Sequence, residues 1–228
     1  MRRWAPVAVV GGLLAWTALA APLSVTIGEY FAYYDPQSDP ERLEFHRDLA
    51  AHVYTAGHWL GQLVAALAGA WLVARSGAYR PAIIGRAALA GAALGLLVGA
   101  VAIAAGIRPM HSHGYPSVAP DPTMLSEPAV RWCLLASFAC FPLWAIIGAA
   151  VGRLFTRRRL IVAAAVILCQ PATLLLLVGA AAPPSSHPVA VSLIADAGPA
   201  ALLMPAILLA WATVATAAAT IVTRRRTG

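Results

Sequence analysis

Hydrophobic residues lie in six long runs that are separated by short polar segments. The runs cover residues 5–27, 52–74, 82–106, 129–152, 160–182 and 199–222. Each run exceeds the roughly 20 residues that an α-helix needs to cross about 30 Å of hydrocarbon. A chain in lipid must satisfy its backbone hydrogen bonds internally, which long helices do. The pattern therefore predicts an all-α fold, a polytopic membrane helix bundle with six transmembrane helices in a single domain, residues 1–228.

The charged residues predict the orientation of these helices. Arginine at the end of a membrane helix stays in the cytoplasm, because its translocation is costly and the inner leaflet is anionic. With the densest basic stretch, 153–159, placed inside, both termini are cytoplasmic and all nine acidic residues lie outside. Twelve arginines then lie inside, at positions 2, 3, 75, 80, 86, 153, 157, 158, 159, 224, 225 and 226. We expect a multi-pass protein of a bacterial inner or plasma membrane.

The first hydrophobic run is open to two interpretations. Ala18-Leu19-Ala20 resembles a signal-peptidase site, so residues 1–20 are either a cleaved signal or part of the first helix. The apolar run continues beyond this point to Ile27, which favours an uncleaved helix. The remaining spans keep the same orientation in both cases.

Residues 28–51 form an exofacial acidic segment that holds six of the nine acidic residues. Asp39-Pro40-Glu41 is typical of a helix start, with a capping carboxylate followed by proline at the first helical position. We expect a helix from about residue 40 that projects from the membrane and continues into the second span. No Asp or Glu lies in any of the six predicted spans.

Composition excludes several classes of function. The chain is 61% hydrophobic and 11% charged, and its basic residues flank the apolar runs, so we predict no nucleic-acid partner. It contains no lysine, which excludes a P-loop nucleotide site. Neither HExxH nor GxSG occurs, and we expect no enzymatic activity and no cofactor. The absence of carboxylates from the predicted spans argues against a proton-driven carrier, which needs a titratable group in the membrane.

All six histidines fall on the predicted outer side. Met110, His111 and His113 in the predicted loop 107–128 are candidate copper ligands, because imidazole and thioether groups bind that metal. The alternative is that the histidines lie at the lipid interface without a ligand. We predict no metal site beyond these candidates.

Small residues recur every four positions in the predicted spans. Gly91, Gly95 and Gly99 share one face of the third span, and the fourth span ends with Gly148 and Gly152. Such spacing lets helix backbones approach closely in lipid. Two uses remain open, which are packing within the bundle and a homodimer interface.

Prolines within the spans are candidate hinge or pathway residues. Pro142, Pro171 and Pro205 each remove one backbone hydrogen bond, and Gln170 adds a polar group near the middle of the fifth span. Alternatively, these prolines reflect the general frequency of proline in membrane helices, and Gln170 satisfies the carbonyl freed by Pro171.

The C-terminal half resembles a family of transporters. The run from Leu143 to Arg153, followed by Arg157-Arg158-Arg159 and an apolar helix, is similar to the fourth-to-fifth helix turn of ABC-2-type ABC transporter permease subunits. The last helix, which contains Trp211 and ends in Arg224-Arg225-Arg226, is similar to their C-terminus. The resemblance implies an export-type permease that is powered by a separate cytoplasmic ATPase.

Our leading hypothesis is therefore the permease subunit of an exporter. The ATPase would dock on the arginine-rich inner turns, at Arg75, Arg80, Arg153, Arg157, Arg158 and Arg159. The alternative hypothesis is a non-transporting membrane sensor, immunity or assembly protein, which would act through its exofacial acidic and histidine-containing loops. A homodimer is compatible with both hypotheses.

Overall fold

The computed structural model describes residues 5–34, 43–77, 79–113, 121–155 and 201–227, and most of them are helical. The helices are α1 (Ala5–Tyr34), α2 (Leu43–Tyr54), α3 (His58–Ser76), α4 (Pro81–His113), α5 (Pro128–Leu154) and α6 (Leu203–Thr227). This described part contains no strand, so the predicted all-α class is confirmed for it.

Five helical stretches among the described residues are long and apolar enough to cross a membrane. They are Ala5–Gly28, Phe45–Ser76, Pro81–Ser112, Pro128–Leu154 and Leu203–Arg225. These stretches correspond to the first four predicted spans and the sixth, which gives the chain the character of a multi-pass membrane protein. The predicted fifth span, 160–182, lies outside the described residues.

Two helices extend further than their hydrophobic runs. α1 continues to Tyr34, so residues 28–34 of the acidic segment are helical. α4 continues through Pro109 to His113, and the prediction of a loop from residue 107 is wrong over this turn. Proline removes only one helical hydrogen bond, and the burial of Met110, which is 1% exposed, supports the turn that follows it.

The predicted continuous helix from residue 40 into the second span is also wrong, because a turn at Thr55–Gly57 separates α2 from α3. Gly57 has φ +80°, a left-handed conformation that glycine adopts readily. It also packs directly against Thr17 of α1, and a Cβ at this position would overlap the threonine Oγ1. Backbone conformation and close packing both require glycine here.

The apolar stretch around the second predicted span is longer than expected. The apolar helical stretch starts at Phe45 and includes Asp48, whereas the sequence prediction started it at residue 52. At 32 residues, this stretch is longer than the roughly 20 residues that cross a bilayer. The predicted span itself, residues 52–74, contains no carboxylate.

Contacts divide the chain into two compact units. The first unit comprises Met1–His58, Leu97–Ser137 and Ser186–Leu202, and the second comprises Trp59–Leu96, Phe138–Ser185 and Leu203–Gly228. In the first unit, α2 packs on α1. Gly106 of α4 adjoins Val53 and Tyr54 of α2, and a Cβ there would lie 2.5 Å from the valine Cγ1.

The second unit is built on backbone contact between α3 and α5. A Cβ at Gly148 would overlap the carbonyl of Ala66, and a Cβ at Gly152 would lie 2.8 Å from the Cα of Ala70. Both pairs advance by four residues in the same direction, so the two helices run parallel. Gly69 of α3 makes an equivalent contact, because a Cβ at this position would overlap the backbone of α5.

The glycines of α4 also pack against α5. A Cβ at Gly91 would lie 2.7 Å from the carbonyl oxygen of Phe141, and one at Gly95 would lie 2.9 Å from the ring of the same residue. Pro142 lies in the interior of α5 beside Gly91. Packing within the bundle is thus one confirmed use of the small-residue spacing.

Gly148→Ala tests the contact between α3 and α5. We expect a lower apparent Tm in detergent, because the added methyl group meets backbone atoms that cannot move aside, and overpacking costs about 1–3 kcal/mol. Gly85→Ala in α4 is the control, since no atom lies within 4 Å of a Cβ there. Alanine also favours a helix, so this control should match or exceed the wild-type Tm. Equal Tm values for the two variants would contradict the packing.

Gly57→Ala tests the turn between α2 and α3. Gly77, which ends α3 with φ +65° and has no atom within 4 Å of a Cβ, is a matched comparison. Both substitutions force a left-handed alanine at roughly 1–2 kcal/mol, but only the first also collides with Thr17. We expect the Tm to fall further for Gly57→Ala than for Gly77→Ala. An equal fall would show that the contact with α1 is unimportant.

Candidate functional site

A hydrogen-bonded turn precedes α5 in the first unit. One carboxylate oxygen of Asp121 accepts hydrogen bonds from the backbone N–H of Thr123 at 2.9 Å and from its hydroxyl at 2.6 Å. The other accepts the backbone N–H of Ser126 at 3.0 Å. The hydrogen bond from the Thr123 side chain is the largest cause, and together these bonds lower the pKa of Asp121 to about 2.

This turn is attached to α2 at two points. The Tyr54 hydroxyl donates to the carbonyl oxygen of Thr123 at 2.7 Å. The Arg47 Nε lies 3.4 Å from Oε2 of Glu127, in a partly exposed ion pair. The buried tyrosine contributes more to the attachment, because exposed ion pairs stabilise by only about 0–1 kcal/mol. Residues 121–127 and α2 therefore form one ordered polar surface.

The arginines of the second unit form another surface, which we call the arginine surface. Its described members are Arg75, Arg80, Arg86, Arg153, Arg224 and Arg225. Arg75 stacks over Trp71, with its guanidinium carbon 5.3 Å from the ring centroid. Arg80 immediately precedes α4, and its carbonyl accepts hydrogen bonds from the N–H groups of Ile83 and Ile84. Arg153 donates from Nε to the Thr223 hydroxyl at 2.9 Å, which joins α5 to α6.

The two units differ sharply in charge. The second unit contains Arg75, Arg80, Arg86, Arg153, Arg157, Arg158, Arg159, Arg224, Arg225 and Arg226, and it contains no Asp or Glu. All nine acidic residues and all six histidines belong to the first unit. Burial raises the pKa of Tyr79 above its ordinary value, so its phenol supplies no negative charge either. The anions that balance the arginine surface must come from outside this unit.

The candidate metal ligands are not brought together. Met110 is buried in α4, whereas the next residue, His111, is exposed. The side chain of His113 lies outside the described part of the chain. Within that part, no group of three His, Cys, Asp or Glu side chains is arranged to hold a metal ion.

Several predicted site residues have different surroundings from those expected, or fall outside the description. Arg157, Arg158, Arg159, Gln170 and Pro171 belong to residues 156–200, which the structure does not describe. Pro205 lies in the first turn of α6, where a proline interrupts no established helical ladder. Of the prolines predicted as hinges, Pro142 lies in the interior of a described helix, α5.

Sequence reasoning missed the turn that begins at Asp121, although a signal was present. An Asp two residues before a Thr is typical of a turn in which the carboxylate accepts local N–H groups. The contacts of this turn with α2 left no signal in the local sequence. Tyr54 lies 69 residues from Thr123, and Arg47 lies 80 residues from Glu127.

Comparisons with known proteins found no family model, no curated protein and no solved structure that matches this chain. The resemblance to ABC-2-type permeases therefore remains a hypothesis based on the sequence of the C-terminal half.

Asp121→Asn tests the turn through its pH dependence. The folded-state pKa of about 2 lies below the ordinary value of 3.8, so the charged form contributes stability above pH 4 and loses it as the pH falls toward 2. We expect the variant to have a lower Tm than the wild type at pH 7 and the same Tm near pH 2, measured by a thermal scan in detergent. A difference that is unchanged at low pH would contradict the role of the charge.

Proposed function

We propose that this protein is the membrane subunit of an export-type transporter whose energy comes from a separate cytoplasmic ATPase. The ATPase docks on the arginine surface, and both termini of the chain lie in the cytoplasm. The chain itself carries the transmembrane part and supplies no nucleotide site.

The observation that carries this proposal is the segregation of charge between the two units. A unit with ten arginines and no acidic residue needs anions from elsewhere, and anionic lipid and an acidic protein surface both supply them. The same segregation supports a cytoplasmic position for this unit under the positive-inside rule.

The composition of the second unit also supports an external energy source. The second unit contains no Asp, Glu, His or Lys, so it offers none of the usual proton-relay groups of ion-driven carriers. An external energy source, as in the permease family that the C-terminal half resembles, suits such a chain. The close packing of α3 and α4 against α5 further suggests that any substrate path avoids these two helix interfaces.

A specific observation favours a second candidate, a non-transporting sensor, immunity or assembly protein. Residues 121–127 are tied to α2 through Tyr54 and Arg47, which orders a polar surface on the first unit. Such a surface suits recognition of a partner outside the cell. This candidate needs no ATPase.

Purification of the tagged chain from its own host in mild detergent separates the two candidates. We expect a nucleotide-binding subunit to co-elute in stoichiometric amount. Arg75→Gln combined with Arg80→Gln should reduce its recovery about tenfold, the equivalent of roughly 1.4 kcal/mol. Arg108→Gln, which removes an exposed arginine from the first unit, is the control and should leave recovery unchanged.

Two results would contradict parts of this proposal. Recovery of the chain alone, or with a membrane partner that binds no nucleotide, would reject the permease proposal and favour the second candidate. An ATPase that co-elutes equally with all variants would reject the arginine surface as its docking site.

A further inference from the structure

Two buried hydrogen-bond donors lie in the second unit, one on α3 and one on α5. Gln62 of α3 is 1% exposed, and Trp144 of α5 is 0% exposed. Neither Nε2 of Gln62 nor the indole Nε1 of Trp144 has a hydrogen-bond partner in the described part of the chain. Buried polar groups in folded proteins almost always have such a partner, so these two donors indicate a binding site.

The register of the two helices places the donors opposite each other. Gly148 of α5 adjoins Ala66 of α3 in a parallel arrangement. Trp144 lies four residues before Gly148, and Gln62 lies four residues before Ala66. Because residues four apart share a helix face, both donors occupy the α3–α5 interface, one turn before the backbone contact. Helical side chains lean toward the N-terminus of their helix, so in parallel helices the two donors lean the same way.

The adjoining turns supply no side-chain oxygen to these donors. Gly148 and Ala66 have no polar side chain. One turn in the other direction along α5, the thiol of Cys140 donates to Sδ of Met204 at 4.0 Å. Sulfur is itself only a weak acceptor. The two donors therefore need an acceptor that comes from outside these turns.

The charge of the second unit restricts the kind of ligand. The unit contains ten arginines and no Asp, Glu, His or Lys, so its summed field is positive and disfavours a cation. The Gln62 amide carries two N–H hydrogens and the Trp144 indole carries one. Three hydrogens from two side chains suit a single small acceptor better than a large polar molecule.

We propose that one small hydrogen-bond acceptor binds between α3 and α5, held by the N–H groups of Gln62 and Trp144. The acceptor has the size of a water molecule or a chloride ion, because the two backbones are in contact only one turn away, at Ala66 and Gly148. It joins the helices at a level where side chains, rather than backbones, fill the interface. The inference is independent of the proposed ATPase and holds for either candidate function.

Gln62→Met tests the site through the sign of its effect on stability. The substitution keeps an unbranched side chain and removes its donors. We expect the Tm of the full-length protein in detergent to fall by at least about 2 °C, because the bound acceptor loses a partner. Leu63→Met, the control at the next residue, leaves both donors intact and preserves volume, so its Tm should stay closer to that of the wild type.

The opposite sign would overturn the proposal. If the two donors hold no ligand, an apolar side chain at position 62 removes a buried polar group that has no partner. Such a replacement is neutral or stabilising, so the Tm of Gln62→Met would equal or exceed that of the wild type.

The indole of Trp144 gives a second readout that does not require Gln62→Met to fold. An indole N–H that donates a hydrogen bond resonates downfield of one that does not. In a ¹H–¹⁵N spectrum of the wild type, we expect the Trp144 signal, assigned by its loss in Trp144→Phe, to lie downfield of 3-methylindole in cyclohexane. A signal at the position of that reference would overturn the proposal.

Chloride distinguishes the two sources of the acceptor. If the ligand is an anion, replacing sodium gluconate with sodium chloride at equal ionic strength should raise the wild-type Tm and move the Trp144 signal, and Gln62→Met should show neither effect. If the ligand is water, the Trp144 signal should be downfield and insensitive to chloride. An equal rise in the Tm of both proteins would reject an anion at this site.

Discussion

The backbone contact between α3 and α5 is the constraint on which the second unit depends. Lipid removes the hydrophobic driving force between helices, so stability must come from close packing of the backbones. Gly148 and Gly152 allow α5 to lie against the carbonyl of Ala66 and the Cα of Ala70. This contact sets a parallel register, and the register brings the C-terminal ends of both helices, with Arg75 and Arg153, to the same end of the unit.

Much of the fold could be predicted because length and hydropathy are local properties. A run of more than 20 apolar residues has few alternatives in a membrane, and the glycine spacing already indicated close helix packing. The helix ends were less predictable, since tertiary contacts determine them. α4 continues past Pro109 because Met110 is buried, and α2 stops before Gly57 because that residue packs on Thr17 of α1.

The candidate sites also differ in how far the sequence could predict them. The arginine surface was visible in the sequence, because the cost of moving charge across a bilayer determines where arginines remain. The contacts of Tyr54 with Thr123 and of Arg47 with Glu127 were not visible, since each joins residues far apart in the chain. The start of the apolar stretch at Phe45 was missed for a different reason. Residues 43–54 form an amphipathic helix whose average hydropathy is low, so hydropathy placed the start of the predicted span at residue 52.

The arginine surface and the carboxylate of Asp121 have different surroundings, and this difference determines what each can do. The described members of the arginine surface other than Arg153 are exposed, so water and salt screen their attraction and only several contacts together hold a partner. The carboxylate of Asp121 instead accepts hydrogen bonds from Thr123 and Ser126 within its own turn, which stabilise its charged form. Under the proposed function, a macromolecular partner contacts the arginines, whereas the Asp121 carboxylate serves the stability of the chain itself.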